Sequence, residues 1–228
     1  MSSSRETILN KLRSSRRPFE DAPPRPREYL NVTLQDDESP EALLERFTKE
    51  LRIYTGDVYT VNGDDEARAK VLDLLKEFNA KSILSWDFAF IPVAGLEAAI
   101  RQAGIEIIQP DTHDELRMET LTAASDAQVG LTGVDAAAAT TGTMIFTTAP
   151  GKGRIPTVLA PVHLAIIRLD QLVPRIESWV SGQRANGLPF SRSANFCFVT
   201  GPSRTGDIEM QTVLGVHGPV TIRAIVKR

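Results

Sequence analysis

Apolar residues recur along this chain at two different spacings, and the spacings alternate. Leu43, Leu44, Phe47 and Leu51 sit three to four residues apart, the period of one helix face. They follow Ser39-Pro40, a cap residue with proline at the first helical position. Val58-Tyr59-Thr60-Val61 is a short β-branched and aromatic run that reads as a strand. Helical spacing returns at Ala67, Val71, Leu74, Leu75 and Phe78. Ser82-Ile83-Leu84-Ser85 is the next strand, residues 96–102 a helix ended by Gly104, and residues 105–108 another strand. This rhythm predicts an α/β fold, a mainly parallel sheet with flanking helices.

The second half is richer in strands. Val129-Gly130-Leu131-Thr132 leads into the small residues Asp135 to Ala139, then into a strand over Met144 to Thr148. Thr157 to Ala160 and His163 to Ile167 read as two strands around Pro161. Leu172, Ile176 and Val180 form a helical stripe, and residues 221–226 a final strand. Before residue 39 the pattern is different. Ser3-Ser4-Arg5-Glu6 has the form of a capping box, and Ile8, Leu9 and Leu12 give a short helix one stripe. Pro18, Pro23, Pro24 and Pro26 then break regular structure. The expected organisation is a helical arm and linker over residues 1–52 and an α/β domain over residues 53–228.

Composition narrows the function. With 228 residues and 42% hydrophobic content, the chain can bury one large core. Lys plus Arg number 26 against 29 for Asp plus Glu, a net charge of −3. That argues against a general nucleic-acid binder. The arm leans basic through Arg5, Lys11, Arg13, Arg16, Arg17, Arg25 and Arg27, which reads as a solvated face. The single cysteine, Cys197, lies between two phenylalanines and reads as a packed thiol. One thiolate cannot hold a four-cysteine zinc or iron–sulfur site, and low cysteine use fits a reducing compartment. No apolar leader and no run of about 18 apolar residues is present, so a cytoplasmic protein without a membrane span is expected.

No phosphate-loop, dinucleotide, nucleophile-elbow or HExxH pattern occurs, and no resident cofactor or metal is expected. The chemistry concentrates near the C-terminus. Ala194 to Val199 delivers the chain into Gly201-Pro202-Ser203-Arg204-Thr205-Gly206-Asp207, and Gly215-Val216-His217-Gly218-Pro219 follows. Such a strand end at the carboxyl edge of a sheet is where α/β proteins build sites. Ser203, Arg204 and Thr205 offer donors to an anion, with a helix beginning near Asp207, which would cap it or hold Arg204. A capped turn with an internal Arg–Asp pair is the plainer alternative. His217, between glycines, and His163, after Pro161, are either ligand contacts or structural hydrogen-bonders. Thr141 and Thr143 flank Gly142 before a buried strand, and either hold an anion or simply favour a strand. Arg154, past the Gly151-Lys152-Gly153 hairpin or mobile loop, is a candidate second anion partner. Asp207, Glu209, His163 and His217 have no spacing that selects a metal. The acidic clusters Asp64-Asp65-Glu66 and His113-Asp114-Glu115 suit helix starts.

These segments together resemble the lactate-utilization protein C family, the LUD domain. The resemblance covers roughly residues 80–228 and rests on Gly130 to Asp135, Ala139 to Thr143, Arg154, Pro161-Val162-His163, Gly201 to Glu209 and Gly215 to Pro219. It implies a fold like that of the ribose-5-phosphate isomerase, CoA-transferase and 5-formyltetrahydrofolate cyclo-ligase group. It also implies a part in oxidising L-lactate to pyruvate beside iron–sulfur subunits. The chain departs from the family where an Ala-Glu-Thr-Gly-Thr block is usual: Thr140 stands in the acidic position. A role requiring that acid is not carried over. The expectation is therefore a non-redox subunit or accessory factor that binds a small carboxylate or phosphate ligand. The alternatives are a stand-alone cyclo-ligase- or isomerase-like enzyme on a phosphorylated or folate-like substrate, and a non-catalytic scaffold.

Overall fold

The computed structural model describes residues 4–15, 37–110, 117–187, 193–206 and 212–228. Contacts divide the chain into Met1–Leu34 and Gln35–Arg228. The first unit holds helix α1 (Ser4–Ser15), with Ile8 and Leu12 exposed. In chain order the second runs α2 (Pro40–Ile53), β1 (Asp57–Val61), α3 (Gly63–Glu77), β2 (Ser82–Ser85), α4 (Leu96–Gln102), β3 (Glu106–Ile108) and α5 (Arg117–Ser125). It continues β4 (Val129–Thr132), β5 (Ala136–Ala138), β6 (Thr143–Thr147), α6 (Ile155–Val158), β7 (Val162–Arg168), β8 (Leu172–Val173) and α7 (Ile176–Ala185). It ends β9 (Phe196–Val199), β10 (Arg204–Gly206), β11 (Thr212–Leu214) and β12 (Thr221–Lys227).

Six strands form one parallel sheet, in the order β1-β12-β7-β4-β2-β3. The central strands β2, β4 and β7 are mostly buried because both faces are covered, while the edge strands β1 and β3 are part-exposed. All of β2 and β4 is buried, and β7 is buried from Val162 to Ile167. Helices α5 and α6 cover part of one face, where Leu84 packs with Ala124, Ala127, Ala160 and Ile155. Gly130 permits the close approach of α6. A Cβ there would lie 1.8 Å from the Pro156 carbonyl oxygen.

The larger core runs through α2, α3 and α4 to the second sheet. Ser39 Oγ accepts the Ala42 N–H (3.3 Å), and Leu43, Leu44, Phe47 and Leu51 are buried. Burying each such side chain contributes about 1.5–3 kcal/mol. Helix α2 is thus part of the core, whereas the arm was expected to run to residue 52. The second sheet has the order β8-β5-β6-β9, with β6 antiparallel to both neighbours.

Three local expectations are corrected. Residues 157–160 are not a strand, because Pro156 lies in the first turn of the short helix α6, where its fixed φ and missing N–H do no harm. Leu172 belongs to β8 rather than to the stripe of α7. The strand entering Gly201 is β9, which pairs with β6 in the second sheet and does not end at the edge of the parallel one.

The topology marks a different edge. The chain leaves β2 toward β3 through α4, but leaves β4 toward β7 on the opposite side. Crossovers therefore diverge between β2 and β4, a position where open α/β sheets form ligand crevices. Among the described residues, no helix is long and apolar enough to cross a membrane.

Candidate functional site

The two C-terminal blocks meet in one hairpin. In the β10–β11 pair, Arg204 lies opposite Leu214 and Thr205 opposite Val213. The Ser203 N–H donates to the Pro219 carbonyl (2.9 Å), and the Ser203 carbonyl accepts the Gly215 N–H (2.9 Å). The Ser203 hydroxyl accepts the His217 N–H (3.3 Å). Ser203 thereby fastens the 215–219 turn to β10, leaving the His217 side chain exposed. The Arg204 guanidinium donates to the Tyr54 carbonyl (3.1 Å) and to Thr55 Oγ1 (3.2 Å), just past α2. It ties the hairpin to that helix end. No helix starts at Arg204–Gly206, which is a strand, and Asp207 and Glu209 lie outside the described residues.

The threonines form a chain of hydroxyls. Thr141 Oγ1 and Thr143 Oγ1 are 2.7 Å apart, and Thr143 Oγ1 lies 2.7 Å from Thr200 Oγ1. The turn between them presses on α2. Gly142 has a φ of +62°, and a Cβ there would meet Leu51 N at 2.6 Å. Strand preference and polar contact thus coincide at Thr143, the buried first residue of β6.

His163 is wholly buried in β7. Its Nε2 shares a hydrogen bond with Thr132 Oγ1 (2.8 Å), and its Nδ1 has no partner. Burial pushes its pKa down to about 4, so the ring is neutral at pH 7. Phe146 packs against it, ring centroids 5.5 Å apart, and Trp86 meets Phe146 edge-on at 5.9 Å.

That aromatic wall supports the glycine loop. Residues 149–152 close a tight turn through a bridge between Ala149 and Lys152. The Trp86 indole N–H donates to the Gly153 carbonyl (2.7 Å), and the Asp87 N–H to the Gly151 carbonyl (2.8 Å). Lys152 turns inward, pairs with Asp135 Oδ1, and donates to Thr147 Oγ1 (3.1 Å). Its ammonium also lies 5.0 Å from the Trp86 ring centre. Asp135 accepts the Thr147 N–H as well. Of the two expected forms, hairpin and mobile loop, the pinned hairpin is the one found, and helix α6 follows it.

Arg154 follows the pinned turn with its side chain exposed and, among the described residues, unpaired. It lines a cleft of about 930 Å³ at the carboxyl ends of β2 and β3, together with Ser85, Gln109, Arg117 and Lys152. Arg117 is likewise unpaired among the described residues. Ser85 Oγ is buried and makes no hydrogen bond. Asp87 also lines the cleft, but its Oδ1 accepts the Ala89 N–H (2.9 Å) and starts the turn Phe88–Phe90. The cleft and the threonine chain lie at opposite ends of β6, about 13 Å apart at the usual rise of about 3.3 Å per residue. No three His, Cys, Asp or Glu side chains cluster as metal ligands among the described residues.

A family model described as LUD domain matches residues 44–226. The chain belongs to the LUD domain family. Lactate utilization protein C of Halalkalibacterium halodurans is 30% identical over 71% of this chain and 69% of that protein. Lactate utilization protein C of a Geobacillus species is 29% identical over 97% of this chain and 92% of that protein. A crystal structure of a DUF162 family protein from Deinococcus radiodurans superposes with a TM-score of 0.58 at 21% identity, covering 84% of this chain and all of that one. That likeness speaks to the fold.

Of the residues around this cleft in the LUD domain, the sequence singles out Arg154 but not Ser85, Arg117 or the Lys152–Asp135 pair. Ser85 ends an apolar strand, and its hydroxyl signals nothing until the neighbouring strands are known. Asp135 and Lys152 are seventeen residues apart. Only the antiparallel return of β5 to β6 brings Asp135 beside Thr147, where Lys152 reaches both. One signal was available: a lone lysine between two glycines, Gly151-Lys152-Gly153, in a segment that reads as a hairpin.

Proposed function

We propose that this chain is a non-redox component of a cytoplasmic system that oxidises L-lactate to pyruvate, binding an anion while partner subunits carry the electrons. The observation that carries this reading is the family membership, with relatives named lactate utilization protein C aligned over up to 97% of the chain. Oxidising lactate releases two electrons and two protons, which have to go to an acceptor. These 228 residues contain one cysteine and no flavin or nicotinamide fingerprint. Partners holding iron–sulfur clusters are the natural carriers. The guanidiniums of Arg117 and Arg154, unpaired among the described residues, support the anion-binding half, since guanidinium matches carboxylate and phosphate geometry.

Lactate-dependent oxygen uptake in cells deleted for this gene tests the reading. Uptake on lactate should fall, uptake on pyruvate should not, and the wild-type chain should restore the first. Unchanged uptake on lactate in the deleted cells would overturn it.

A further inference from the structure

We infer that the cleft at the carboxyl ends of β2 and β3 binds a phosphate ester with an apolar body, larger than lactate, gripped by Arg154, Arg117 and Ser85. The inference rests on the anion-binding reading above and names its ligand class. Four independent features converge on this cleft. The first is topology, because β2 lies where the crossovers diverge.

The second is charge. Arg117 and Arg154 line the cleft without partners among the described residues. Lys152 is already held by Asp135, and Asp87, which caps a turn through Oδ1, keeps its charge, so the described lining sets Arg117 and Arg154 against one carboxylate. Two uncommitted guanidiniums suit a doubly charged group better than a single carboxylate.

The third is Ser85. Its side-chain oxygen is buried and bonded to nothing, although a buried hydroxyl is ordinarily satisfied. It lines the same cleft, so a ligand oxygen would supply its partner.

The fourth is size and wall chemistry. At about 930 Å³ the cleft lies in the range, roughly 300–1,000 Å³, that encloses drug-sized ligands. A three-carbon acid would leave most of it empty. Leu121, Ile155, Val158 and Leu159 line it, and Val158 and Leu159 are 39% and 42% exposed. Apolar side chains beside cations unpaired among the described residues fit a ligand with a charged head and an apolar body. The pinned loop explains why such a site is preformed. Trp86, Asp87 and Lys152 fix residues 151–153 from three sides, so Arg154 leaves a rigid turn.

Calorimetric titration of the full chain tests this with four probes: inorganic phosphate, phenyl phosphate, phenylacetate and benzyl alcohol. Phenyl phosphate should bind at least fivefold more tightly than inorganic phosphate or phenylacetate, and benzyl alcohol should not bind. Arg154→Ala should weaken phenyl phosphate about tenfold or more, the usual scale for a lost charged hydrogen bond. Ser85→Ala should weaken it severalfold while leaving the melting temperature unchanged, because the free protein loses no bond. Equal binding of phenyl phosphate and inorganic phosphate, tighter binding of phenylacetate, or affinity indifferent to Arg154→Ala would each overturn the inference. So would the absence of phenyl phosphate binding. These titrations do not involve lactate oxidation. A failure here beside a lactate defect in deleted cells would therefore sink the ligand assignment and leave the functional reading standing.

Discussion

Two regions of this molecule carry an arginine among glycines and hydroxyls, and they employ it in opposite ways. In the hairpin, Arg204 reaches back to Tyr54 and Thr55, and Ser203 bonds three partners of its own turn. These contacts commit Ser203 and Arg204 to holding the hairpin together. In the cleft the internal anchoring falls to Lys152, held by Asp135 and Thr147 behind Trp86. That leaves Arg154 and Arg117 facing solvent and Ser85 Oγ without a partner. A dense run of functional groups in sequence is thus no measure of a binding site. What matters is which groups remain uncommitted after the fold has taken its share.

The largest effect should come from the wall behind the cleft. His163 is neutral in the fold because its pKa lies near 4, against 6.5 for the free side chain. Between those values the unfolded chain takes up a proton that the folded chain refuses, so stability falls as pH drops from 6.5 to 4. A shift of this size corresponds to about 3 kcal/mol. Urea unfolding of wild type and His163→Gln across that range should show the wild type losing more stability. Parallel pH profiles would break the link between His163 burial and the wall.

Lys152→Met should come next. It removes the cation from a mostly buried Asp135, whose side chain is 23% exposed. Full burial of such a broken pair costs about 3–5 kcal/mol, and partial exposure lowers this to about 2–3 kcal/mol. Faster amide exchange across residues 149–154 should accompany the loss. If the variant unfolds like wild type, the loop is not pinned by this pair.

Arg204→Ala should destabilise by about 1 kcal/mol, since among the described residues its side chain makes only exposed hydrogen bonds to neutral oxygens. Its clearest sign should be faster exchange in β10 and β11, with phenyl phosphate affinity unchanged. Arg154→Ala should alter stability least, within about 0.5 kcal/mol, as an unpaired surface side chain does. Thermal unfolding of the two variants side by side reads this difference directly.

Much of the fold was legible in the sequence, and for a physical reason. Strands β1, β2, β4, β7 and β12 are short runs rich in β-branched and apolar residues, and α3 repeats its buried face every three to four residues, so local pattern suffices. Residues 157–160 were misread because Thr-Val-Leu-Ala has strand composition while Pro156 sets helical geometry one residue earlier. The helix expected to begin near Asp207 falls outside the described residues, while Arg204–Gly206 pairs with Thr212–Leu214 in a ladder that sequence proximity does not reveal. The site was legible in part. Arg154 and His163 were singled out by their neighbours in sequence. Ser85, Arg117 and Asp135 matter only through strand order, which brings together segments that are tens of residues apart.

The most direct measurement is rescue of lactate-dependent oxygen uptake by Arg154→Ala and Arg204→Ala, compared at equal protein level in cells lacking the gene. Arg204→Ala should restore uptake and Arg154→Ala should not. Full rescue by Arg154→Ala beside failure of Arg204→Ala would contradict the division of labour between cleft and hairpin.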